Sequence, residues 1–579
     1  MRTLFPSRLC ALTALLAACG ESPPVPPAAG GVEPAAGSDS AGSTPARRGA
    51  PWLRDEARER GLVFEWRSGH AEKHYFPEIM GGGAALFDLE PDGDLDAYLV
   101  QAGSIVAPPA QRPGNQLFEN RGAGRFTDVS AGSGAEDHGY GMGVAAGDVD
   151  DDGRTDLYVT NVGPNVLLVN QGEHTFADRT EAAGVGDPSW STSAAFVDHD
   201  RDGDLDLYVA NYISWSVDSE RVCYTQPHPE DYCSPNSYGA PAPDTFYRNE
   251  GGGKFTDVSL ASGLRAAVGN GLGVVCADFD GDGWTDIFVA NDGMLNLLWR
   301  NRRDGSFEEA GVSAGVAVDQ DGRKKAGMGA HAADVDQDGD EDLLVVNLTG
   351  ESDSFYRNDG AHFSDRTPLV GLAGPTRAFT RFGVGFADLD QDGWLDLFEA
   401  TGRVTRRPEN SSARPFDESD LLFRGTGAGK FEEVLPRGGT REPLLATGRA
   451  AAFGDVDEDG ALDILVVNRD APANLLMNRV PARGAWIAFH VRETSGRDAL
   501  GAILRAELDG RALRRTVRSA YGYCTANDAR VHLGLGAAAS VPGPVTITWA
   551  DGSEERFAGP FAAGAVHALR RGAGERAGR

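Results

Sequence analysis

A nine-residue motif that recurs seven times constrains the fold of this chain more than any other feature. Each copy reads D-x-[D/E]-x-D-G-x-x-D and is followed at once by a short apolar run, such as Leu397 and Phe398 after the sixth copy. Glycine at position 6 tolerates a positive φ, so the backbone can curl and bring the alternating carboxylates to one point. The repetition indicates that most of the chain is built from seven copies of one supersecondary unit.

The alternating acids of each motif predict a calcium site. Calcium takes about six to eight oxygen ligands, including carboxylates and a backbone carbonyl. Position 7 varies in chemistry, so only its carbonyl is expected to bind; position 9 is always Asp, and position 4 is expected to face solvent. A solvated acidic turn is the alternative for one copy, but the acids at positions 1, 3, 5 and 9 are present in all seven. The predicted Ca²⁺ ligands, motif by motif, are Asp88, Glu90, Asp92, Asp94 and Asp96; Asp148, Asp150, Asp152, Arg154 and Asp156; Asp198, Asp200, Asp202, Asp204 and Asp206; Asp278, Asp280, Asp282, Trp284 and Asp286; Asp334, Asp336, Asp338, Asp340 and Asp342; Asp388, Asp390, Asp392, Trp394 and Asp396; and Asp455, Asp457, Asp459, Ala461 and Asp463.

The EF-hand is the obvious competing interpretation of these loops, and position 12 excludes it. An EF-hand loop ends in a bidentate Glu at that position and lies between two helices. Here the flanks are short β-like runs, and position 12 is Leu99, Val159, Val209, Val289, Val345, Glu399 or Val466. The sequence therefore predicts calcium loops between strands.

A second repeated element alternates with the motif. It has an aromatic residue, an acid two positions later and a Gly eight positions later, and it begins at Phe126, Phe176, Phe255, Phe307, Phe363 and Phe431. An out-of-phase copy, with Leu53, Asp55 and Gly61, precedes the first motif. Together with a Gly/Ala-rich strand before each motif and two strands after it, this element gives four strands per repeat.

Seven such repeats predict an all-β fold, a seven-bladed β-propeller over residues 51–478 with calcium-binding loops. The strand near Leu53 is expected to complete the seventh blade, so that no sheet edge stays open. The Gly/Ala-rich strand is expected to be innermost, where blades crowd together. A linear solenoid is the alternative; it would need capping repeats, and the sequence contains no recognisable ones.

Insertions between the second and third strands of repeats 1, 3 and 6 predict a binding face opposite the calcium loops. The longest, residues 211–244, contains Cys223 and Cys233, which are predicted to form a disulfide because the protein is predicted to be exported. Its aromatic residues either pack inside the loop or form a ligand platform. Cys276 and Cys524 are predicted to be buried thiols, with pairing between them as the alternative.

The N-terminus resembles a bacterial lipoprotein signal peptide. Arg2 and Arg8 precede an apolar run, and small residues lead into Cys19, which would be lipidated after cleavage. An ordinary secretory signal is the alternative. Gly20 resembles the outer-membrane sorting class. The expected organisation is a signal peptide (1–18), a disordered tether (19–50) and a lipid-anchored protein in the outer membrane of a Gram-negative bacterium, on either side of it.

The charge distribution excludes nucleic acid as a partner and separates a second domain. The net charge is −32, and seven Ca²⁺ would leave −18, so much of the acidity serves metal binding. Residues 479–579 carry 15 Arg and 9 acids. Strand-like runs and Asp-Gly turns predict a small antiparallel β domain over 479–571, docked on the acidic propeller, and a disordered tail over 572–579.

Two groups of motifs resemble known families. The calcium loops with their strands resemble FG-GAP/VCBS repeats, as in the propellers of integrin α chains. Residues 521–523, 527–530 and 531–536 resemble the ASPIC/UnbV domain. With the segment Tyr75 to Gly83 before the first motif, the match extends over about residues 52–571 and resembles bacterial relatives of cartilage acidic protein. This resemblance implies calcium-binding repeats and no generally accepted reaction.

No catalytic constellation is recognisable in the sequence. There is no H-E-x-x-H or G-x-S-x-G, no His has zinc-ligand spacing, and Gly425 to Lys430 lacks the spacing of a phosphate loop. The predicted function is therefore a surface-anchored, calcium-binding module for protein or glycan, which uses the face opposite the calcium loops and contacts the membrane only through its lipid. The alternative, implied by the family's association with biosynthetic clusters, is a biosynthetic or tailoring enzyme with its site on the propeller axis.

Overall fold

The computed structural model describes residues 49–224, 230–360, 362–406 and 414–576. The predicted signal peptide, Cys19, the tether up to residue 48 and residues 577–579 lie outside the described residues. Within the described ranges, no helix is both long enough and apolar enough to cross a bilayer.

Thirty short strands form the repeat region. In chain order they are β1 (Leu53–Asp55), β2 (Ala84–Phe87), β3 (Asp96–Leu99), β4 (Gln116–Asn120), β5 (Phe126–Asp128), β6 (Gly141–Gly147), β7 (Asp156–Asn161), β8 (Val166–Gly172), β9 (Thr175–Asp178), β10 (Ser191–Val197), β11 (Asp206–Asn211), β12 (Thr245–Asn249), β13 (Phe255–Asp257), β14 (Gly271–Ala277), β15 (Asp286–Asn291), β16 (Leu297–Asn301), β17 (Phe307–Glu309), β18 (Ala330–Ala333), β19 (Asp342–Val345), β20 (Ser354–Asn358), β21 (Phe363–Asp365), β22 (Arg381–Ala387), β23 (Asp396–Thr401), β24 (Glu418–Ser419), β25 (Leu421–Gly425), β26 (Phe431–Glu433), β27 (Leu445–Ala446), β28 (Gly448–Gly454), β29 (Asp463–Asn468) and β30 (Asn474–Asn478).

Eleven further strands follow. They are β31 (Ala485–Arg492), β32 (Ile503–Leu508), β33 (Arg511–Thr516), β34 (Thr525–Ala526), β35 (Val531–Gly536), β36 (Ser540–Val541), β37 (Val545–Thr548), β38 (Glu554–Phe557), β39 (Phe561–Ala562), β40 (Val566–Arg570) and β41 (Glu575–Arg576).

Helices are short and connect the sheets. The α-helices are α1 (Thr180–Ala183), α2 (Gly311–Ala314) and α3 (Thr367–Val370), and the 3-10 turns are Phe76–Ile79, Pro109–Gln111, Val217–Ser219, Pro235–Ser237, Leu264–Ala266, Thr376–Ala378 and Arg437–Gly439. Each α-helix ends at the Gly that lies eight positions after the aromatic residue of the second repeated element. At Gly315 that residue has φ 89°, and a Cβ there would lie 2.4 Å from the carbonyl oxygen of Phe363 in the next repeat. This close approach explains the recurrent Gly.

Seven antiparallel units of four strands form the repeat region, which confirms the all-β prediction. Their strand orders are β34-β2-β3-β4-β5, β6-β7-β8-β9, β10-β11-β12-β13, β14-β15-β16-β17, β18-β19-β20-β21, β22-β23-β25-β26 and β1-β30-β29-β28. Every acidic motif occupies the turn between the first and second strands of its sheet. The first sheet gains β34, which pairs in parallel with β2.

The N-terminal strand completes the last sheet, as the out-of-phase copy predicts. β1 pairs antiparallel with β30, with Leu53 opposite Asn478 and Asp55 opposite Leu476. The side chain of Asp55 accepts hydrogen bonds from the Leu475 backbone N–H at 3.1 Å and from the Asn474 amide at 2.8 Å. The strand most distant in sequence therefore covers the edge of β30.

First strands of successive sheets lie against one another. β2 contacts β6, β6 contacts β10, and the series continues through β14, β18, β22 and β28 back to β2. The backbones approach so closely that a Cβ on Gly83 would lie 2.6 Å from the Cα of Gly143. This crowding is the physical reason why the first strands are rich in Gly and Ala.

The C-terminal strands form sheets of their own around an apolar core that includes Ile487, Leu504 and Trp549 and is continuous with buried residues of repeats 2 and 3. The sheet orders are β35-β31-β40, β33-β32-β37-β38-β41 and β36-β39. The prediction of an antiparallel domain holds for most pairs, but it is wrong for β31 and β40, which are parallel. The predicted disordered tail is also wrong in part, because β41 lies within residues 572–576 and pairs with β38.

Candidate metal centres

One backbone conformation recurs in all seven acidic loops. The N–H of position 7 donates to the position 5 carboxylate in every repeat, at 2.8 to 3.1 Å. In five repeats the N–H of the position 6 Gly donates to the position 1 carboxylate. Position 6 has φ between 85° and 101°, and position 4 also has a positive φ in each loop. The predicted tight curl is present.

The Asp at position 9 holds the loop to its sheet. One carboxylate oxygen accepts from the backbone N–H of position 2, and the other accepts from a backbone N–H at or near the end of the third strand. Both bonds occur in all seven repeats; in the first, Asp96 accepts from Leu89 and Asn120. The invariance of position 9 therefore has a structural reason in addition to its predicted role as a ligand.

Buried carboxylate oxygens at positions 1 and 3 fit a cation. Within the described ranges, buried oxygens of Asp278, Asp334 and Asp455 at position 1, and of Asp150, Asp336, Asp390 and Asp457 at position 3, accept no hydrogen bond. In repeats 3 and 4 the acids at positions 1, 3 and 5 offer oxygens that lie within 4.8 Å of one another. Leaving a buried acceptor without a partner is costly, and a hard cation among these oxygens would satisfy them.

The carboxyl groups at position 1 have raised pKa values. Burial raises their pKa in every repeat, and neighbouring Asp charges add to it. The pKa rises to about 6 at Asp88, Asp148 and Asp334, and to about 7 at Asp198, Asp388 and Asp455. A divalent cation would favour the charged carboxylates, so these donors have the chemistry of a calcium site.

Position 7 side chains follow no common pattern. Arg154 pairs with Asp152, Trp284 lies under the guanidinium of Arg201, and Trp394 lies under that of Arg511. The position 7 side chains therefore make different contacts in different repeats. The group that all seven repeats have in common at position 7 is the backbone, including its carbonyl.

A recurrent Asn, which the sequence analysis missed, joins neighbouring repeats. An Asn stands at or near the end of the third strand in six repeats, and its side-chain amide donates to the position 2 carbonyl of the preceding motif. Asn120 of repeat 1 bonds Val456 of repeat 7 at 2.8 Å. An Asn five or six positions before five of the six Phe elements was the signal that could have revealed it.

The C-terminal domain lies on the acidic loops, as its charge predicts. Glu341, at position 8 of the fifth motif, is buried and lies 2.9 Å from Arg514 Nη1, and it also pairs with Arg518. Burial alone would raise the pKa of Glu341, but the charges of Arg518 and Arg514 outweigh it and hold that pKa below its usual value. The Arg530 guanidinium donates to the carbonyl of Gly93 in the first loop.

One expectation about these loops is wrong because of that docking. Gln391, at position 4 of the sixth motif, was expected to face solvent, but its side chain is buried and donates to the carbonyl of Gly460 at 2.6 Å. Its own carbonyl accepts from the backbone N–H of Gly536 in the C-terminal domain. Contact with a distant part of the chain, invisible in the local motif, decides the environment of this position.

Replacing Glu341 with Ala is expected to lower the free energy of unfolding by about 3–5 kcal/mol, because it leaves two buried guanidinium groups without their carboxylate. Urea unfolding followed by Trp fluorescence measures the loss. Glu507→Ala, on an exposed position of β32, is the matched control and should change stability by less than about 0.5 kcal/mol. Equal effects of the two substitutions would contradict the assigned role.

Residues 519–527 of the C-terminal domain lie among the first strands of the repeats. The Cys524 N–H donates to Ser193 Oγ at 2.9 Å, and the Tyr523 hydroxyl donates to the carbonyl of Met80 at 2.6 Å. Contacts from this segment reach first strands of six sheets through Ser519 with Ala146, Cys524 with Ser193, Gly522 with Ala330, Tyr523 with Phe382, Asn527 with Phe453, and Thr525 with Ala84. Tyr523 and Cys524 are buried, so protein fills the space beside these strands.

Long loops meet at the opposite ends of the sheets. The segment over residues 67–81 and the insertions of repeats 3 and 6 contact one another; Phe76 stacks on Tyr238 at 5.5 Å, and Tyr232 lies 5.8 Å from Phe416. Cys223 and Cys233 form the predicted disulfide, and Cys276 and Cys524 are free thiols. Most aromatic residues pack within this loop cluster, but Tyr224 is 65% exposed.

A polar group lies within this cluster. The His70 Nδ1 atom is 2.7 Å from Glu78 Oε2, and the Tyr232 hydroxyl donates to the same oxygen at 2.8 Å. Arg406 Nη2 is 3.3 Å from His74 Nε2. Burial, His70 and Arg406 together lower the pKa of His74. His70 and His74, which the sequence placed in the long segment before the first motif, are therefore brought to the insertion of repeat 3.

Family models match both regions of the chain. A model described as an FG-GAP-like repeat matches residues 88–159, 148–209, 231–289, 278–345 and 334–399, and a model described as ASPIC and UnbV matches residues 492–575. Four of the five repeat matches begin at the first residue of an acidic motif, and the one over 231–289 begins in the insertion of repeat 3.

Similar proteins have the same two-part organisation. The chain is 28% identical to human cartilage acidic protein 1 over 51% of its own length and 43% of that protein, and 26% identical to the mouse protein over 82% and 71%. The alignment therefore spans less than half of the human relative. A solved structure of Bacillus licheniformis rhamnogalacturonan lyase PL11 is 14% identical over 68% of this chain and 71% of that one, with a TM-score of 0.36, which supports no functional argument. The chain belongs to the family of FG-GAP-like repeat proteins with a C-terminal ASPIC/UnbV domain, and it is homologous to cartilage acidic protein 1.

Proposed function

We propose that the seven sheets form a closed seven-bladed β-propeller. Three features support a ring: the series of contacts among first strands that returns from β28 to β2, the bond from Asn120 to the carbonyl of Val456, and the pairing of β1 with β30. A segment as short as residues 519–527 can reach first strands of six sheets only if those strands surround it. The region from 51 to 478 is then one propeller, and the domain over 479–571 closes one side of it.

Calcium is the proposed resident ion of the acidic loops. The carboxylates at positions 1, 3, 5 and 9, with the carbonyl of position 7, supply the oxygen set that Ca²⁺ prefers. Unpartnered buried oxygens at positions 1 and 3 support this assignment. The ion would neutralise the loops and hold them in the shape on which the C-terminal domain rests.

The proposed location is the bacterial outer membrane, where the chain would be anchored through lipid on Cys19. Arg2 and Arg8, the apolar run that follows and the small residues before Cys19 support export and lipidation. Residues 20–50 would then act as a tether between the membrane and the propeller. No membrane contact besides the lipid is proposed.

We propose that the chain is a binding module for an extracellular protein or glycan. The observation that carries this is the division of the two faces: the C-terminal domain covers the acidic loops, whereas the loop cluster of residues 67–81 and the insertions of repeats 3 and 6 lie at the other ends of the sheets. Loops grouped on one face of a rigid scaffold are a common form of binding site. Tyr224 and Val222 are exposed there.

A binding screen with matched surface variants tests this function. The full chain is screened in calcium against purified glycans and extracellular proteins, and any hit is measured again with Val222→Asp and Tyr224→Asp combined. That variant should bind at least about tenfold more weakly, because a hot spot contributes about 1.4 kcal/mol or more. Val566→Asp, on an exposed position of the C-terminal domain, should bind normally. The reverse result would place the binding surface on the C-terminal domain.

A further inference from the structure

Comparison of the seven repeats with one another shows three unusual residues that meet in space, two in repeat 1 and one in repeat 2. Position 3 of the repeat 1 motif is Glu90, whereas the other six motifs have Asp. The penultimate residue of the third strand in repeat 1 is Glu119, and His174 lies in the hairpin between β8 and β9 of repeat 2. One ligand atom from each of these three side chains lies within 4.8 Å of the others.

Glu119 reverses a charge that four other repeats conserve. Its counterparts in repeats 3 to 6 are Arg248, Arg300, Arg357 and Arg424. Arg357 and Arg424 lie 3.0 and 2.7 Å from the position 3 Asp of their own motif, and Arg300 lies 3.7 Å from its own. In repeat 1 the position 3 acid therefore faces a second carboxylate where other repeats supply a cation.

His174 occupies a place that favours Gly. The residue two positions before the Phe element is Gly in four other repeats, and there it has φ between 65° and 81°. In three of these four repeats that Gly lies against the position 3 acid of the preceding motif, as Gly253 does against Asp150, with 3.6 Å between an ideal Cβ and the Asp Cβ. His174 has φ 58° and contacts Glu90, which is the position 3 acid of its own preceding motif. His174 thus carries a side chain at a position whose positive φ favours Gly.

Two carboxylate oxygens beside His174 accept no hydrogen bond within the described part of the chain. Glu119 is 7% exposed, and its Oε2 atom accepts no hydrogen bond from any described residue; neither does Glu90 Oε2. Glu119 Oε1 lies 2.6 Å from Arg121 Nη1, but the Arg121 side chain is 55% exposed and can move away. Two carboxylates with buried, unsatisfied oxygens lie beside an imidazole, and a bound cation would satisfy these oxygens.

We propose that Glu90, Glu119 and His174 bind a transition-metal dication of the zinc class, at a site distinct in chemistry from the all-oxygen calcium loops. Imidazole nitrogen selects such ions over Ca²⁺ and Mg²⁺. Donors on a tetrahedral zinc ion lie about 3.4 Å apart, given bonds of about 2.0–2.2 Å, and His174 Nε2 lies 3.5 Å from Glu119 Oε1. His174 Nε2 is in hydrogen-bond contact with Glu90 Oε1, and the zinc ion would take the place of the proton between these two atoms. Glu90 is one methylene longer than Asp, and its Oε1 atom contacts His174, which leaves its Oε2 atom for the calcium loop. Three protein ligands leave a fourth position open.

Zinc titration of the full chain tests the site. In millimolar calcium and at a pH where imidazole is neutral, isothermal titration calorimetry should detect one Zn²⁺ equivalent, and Co²⁺ should give the visible absorption of a site with a nitrogen ligand. His174→Gly and Glu119→Arg restore what the other repeats carry, so both variants should fold. Each should weaken Zn²⁺ binding at least about tenfold, since even indirect ligand partners contribute that much.

The controls separate this site from alternatives. His362→Gly, in the corresponding hairpin of repeat 5, should leave the Zn²⁺ equivalent unchanged, and Glu90→Asp should weaken zinc binding while calcium binding persists. Undiminished zinc binding in His174→Gly, or displacement of zinc by millimolar calcium, would overturn the proposal. So would the absence of bound zinc in the full chain.

Discussion

Removing calcium from the full chain is expected to lower the midpoint of thermal unfolding by about 10 °C or more. An ion that binds only the folded loop contributes about 1.4 kcal/mol per site at ten times its dissociation constant, and seven sites act together. Each kcal/mol corresponds to about 1–2 °C in a domain of this size, by extension from smaller ones. Without the ion, buried carboxylates at positions 1 and 3 repel one another.

Scanning calorimetry at millimolar calcium and in excess chelator provides the measurement. Extracellular calcium modules often have dissociation constants of about 10⁻⁴ to 10⁻³ M, so the calcium arm requires that concentration. Magnesium at equal concentration is the control. Because Mg²⁺ demands a smaller octahedral site, it should reverse little of the loss in unfolding temperature. An unchanged midpoint in chelator, with no metal retained by the protein, would exclude a structural role for calcium.

Deleting residues 51–60 is expected to destabilise the repeat region strongly and to cause association of chains. The deletion removes β1, whose register places Leu53 opposite Asn478, and exposes the backbone edge of β30. It also removes Arg60, which pairs with Asp457 of the seventh motif at 2.9 Å. Unpaired strand edges bind other chains, so the variant should elute as oligomers in size-exclusion chromatography and should unfold at a lower temperature.

Deleting residues 20–48 is the matched control for this truncation. That deletion leaves β1 and all its partners in place, so the protein should stay monomeric and should unfold at the original midpoint. Identical behaviour of the two deletions would show that β1 contributes nothing to closure of the seventh sheet.

Local periodicity allowed much of the fold to be predicted from sequence. The seven acidic motifs, the apolar runs after them and the Phe elements each report on a few consecutive residues, and these features correspond to turns and strands of the same repeat. The copy at Leu53 was informative because it was out of phase with its motif, and the structure pairs it with β30 as expected. Cys223 and Cys233 were predictable as a pair because they lie in one loop of a chain that is predicted to be exported.

Contacts between distant residues could not be predicted in the same way. Nothing beside Gln391 in sequence indicates that the C-terminal domain buries it, and nothing near Glu341 indicates Arg514 and Arg518. The parallel pairing of β31 with β40 joins strands separated by most of a domain. Charge predicted that the two regions would dock, but it carries no information about which residues meet.

The sequence by itself determined the repeat, its strands and the donor chemistry of its loops, because hydrophobic alternation and ligand spacing act over a few residues. Only the tertiary structure decided how repeats join, what lies beside the first strands, and which side chains converge between neighbouring sheets. Glu90, Glu119 and His174 are far apart in sequence and unremarkable singly. The folding of two successive repeats against each other brings their donor atoms within 4.8 Å.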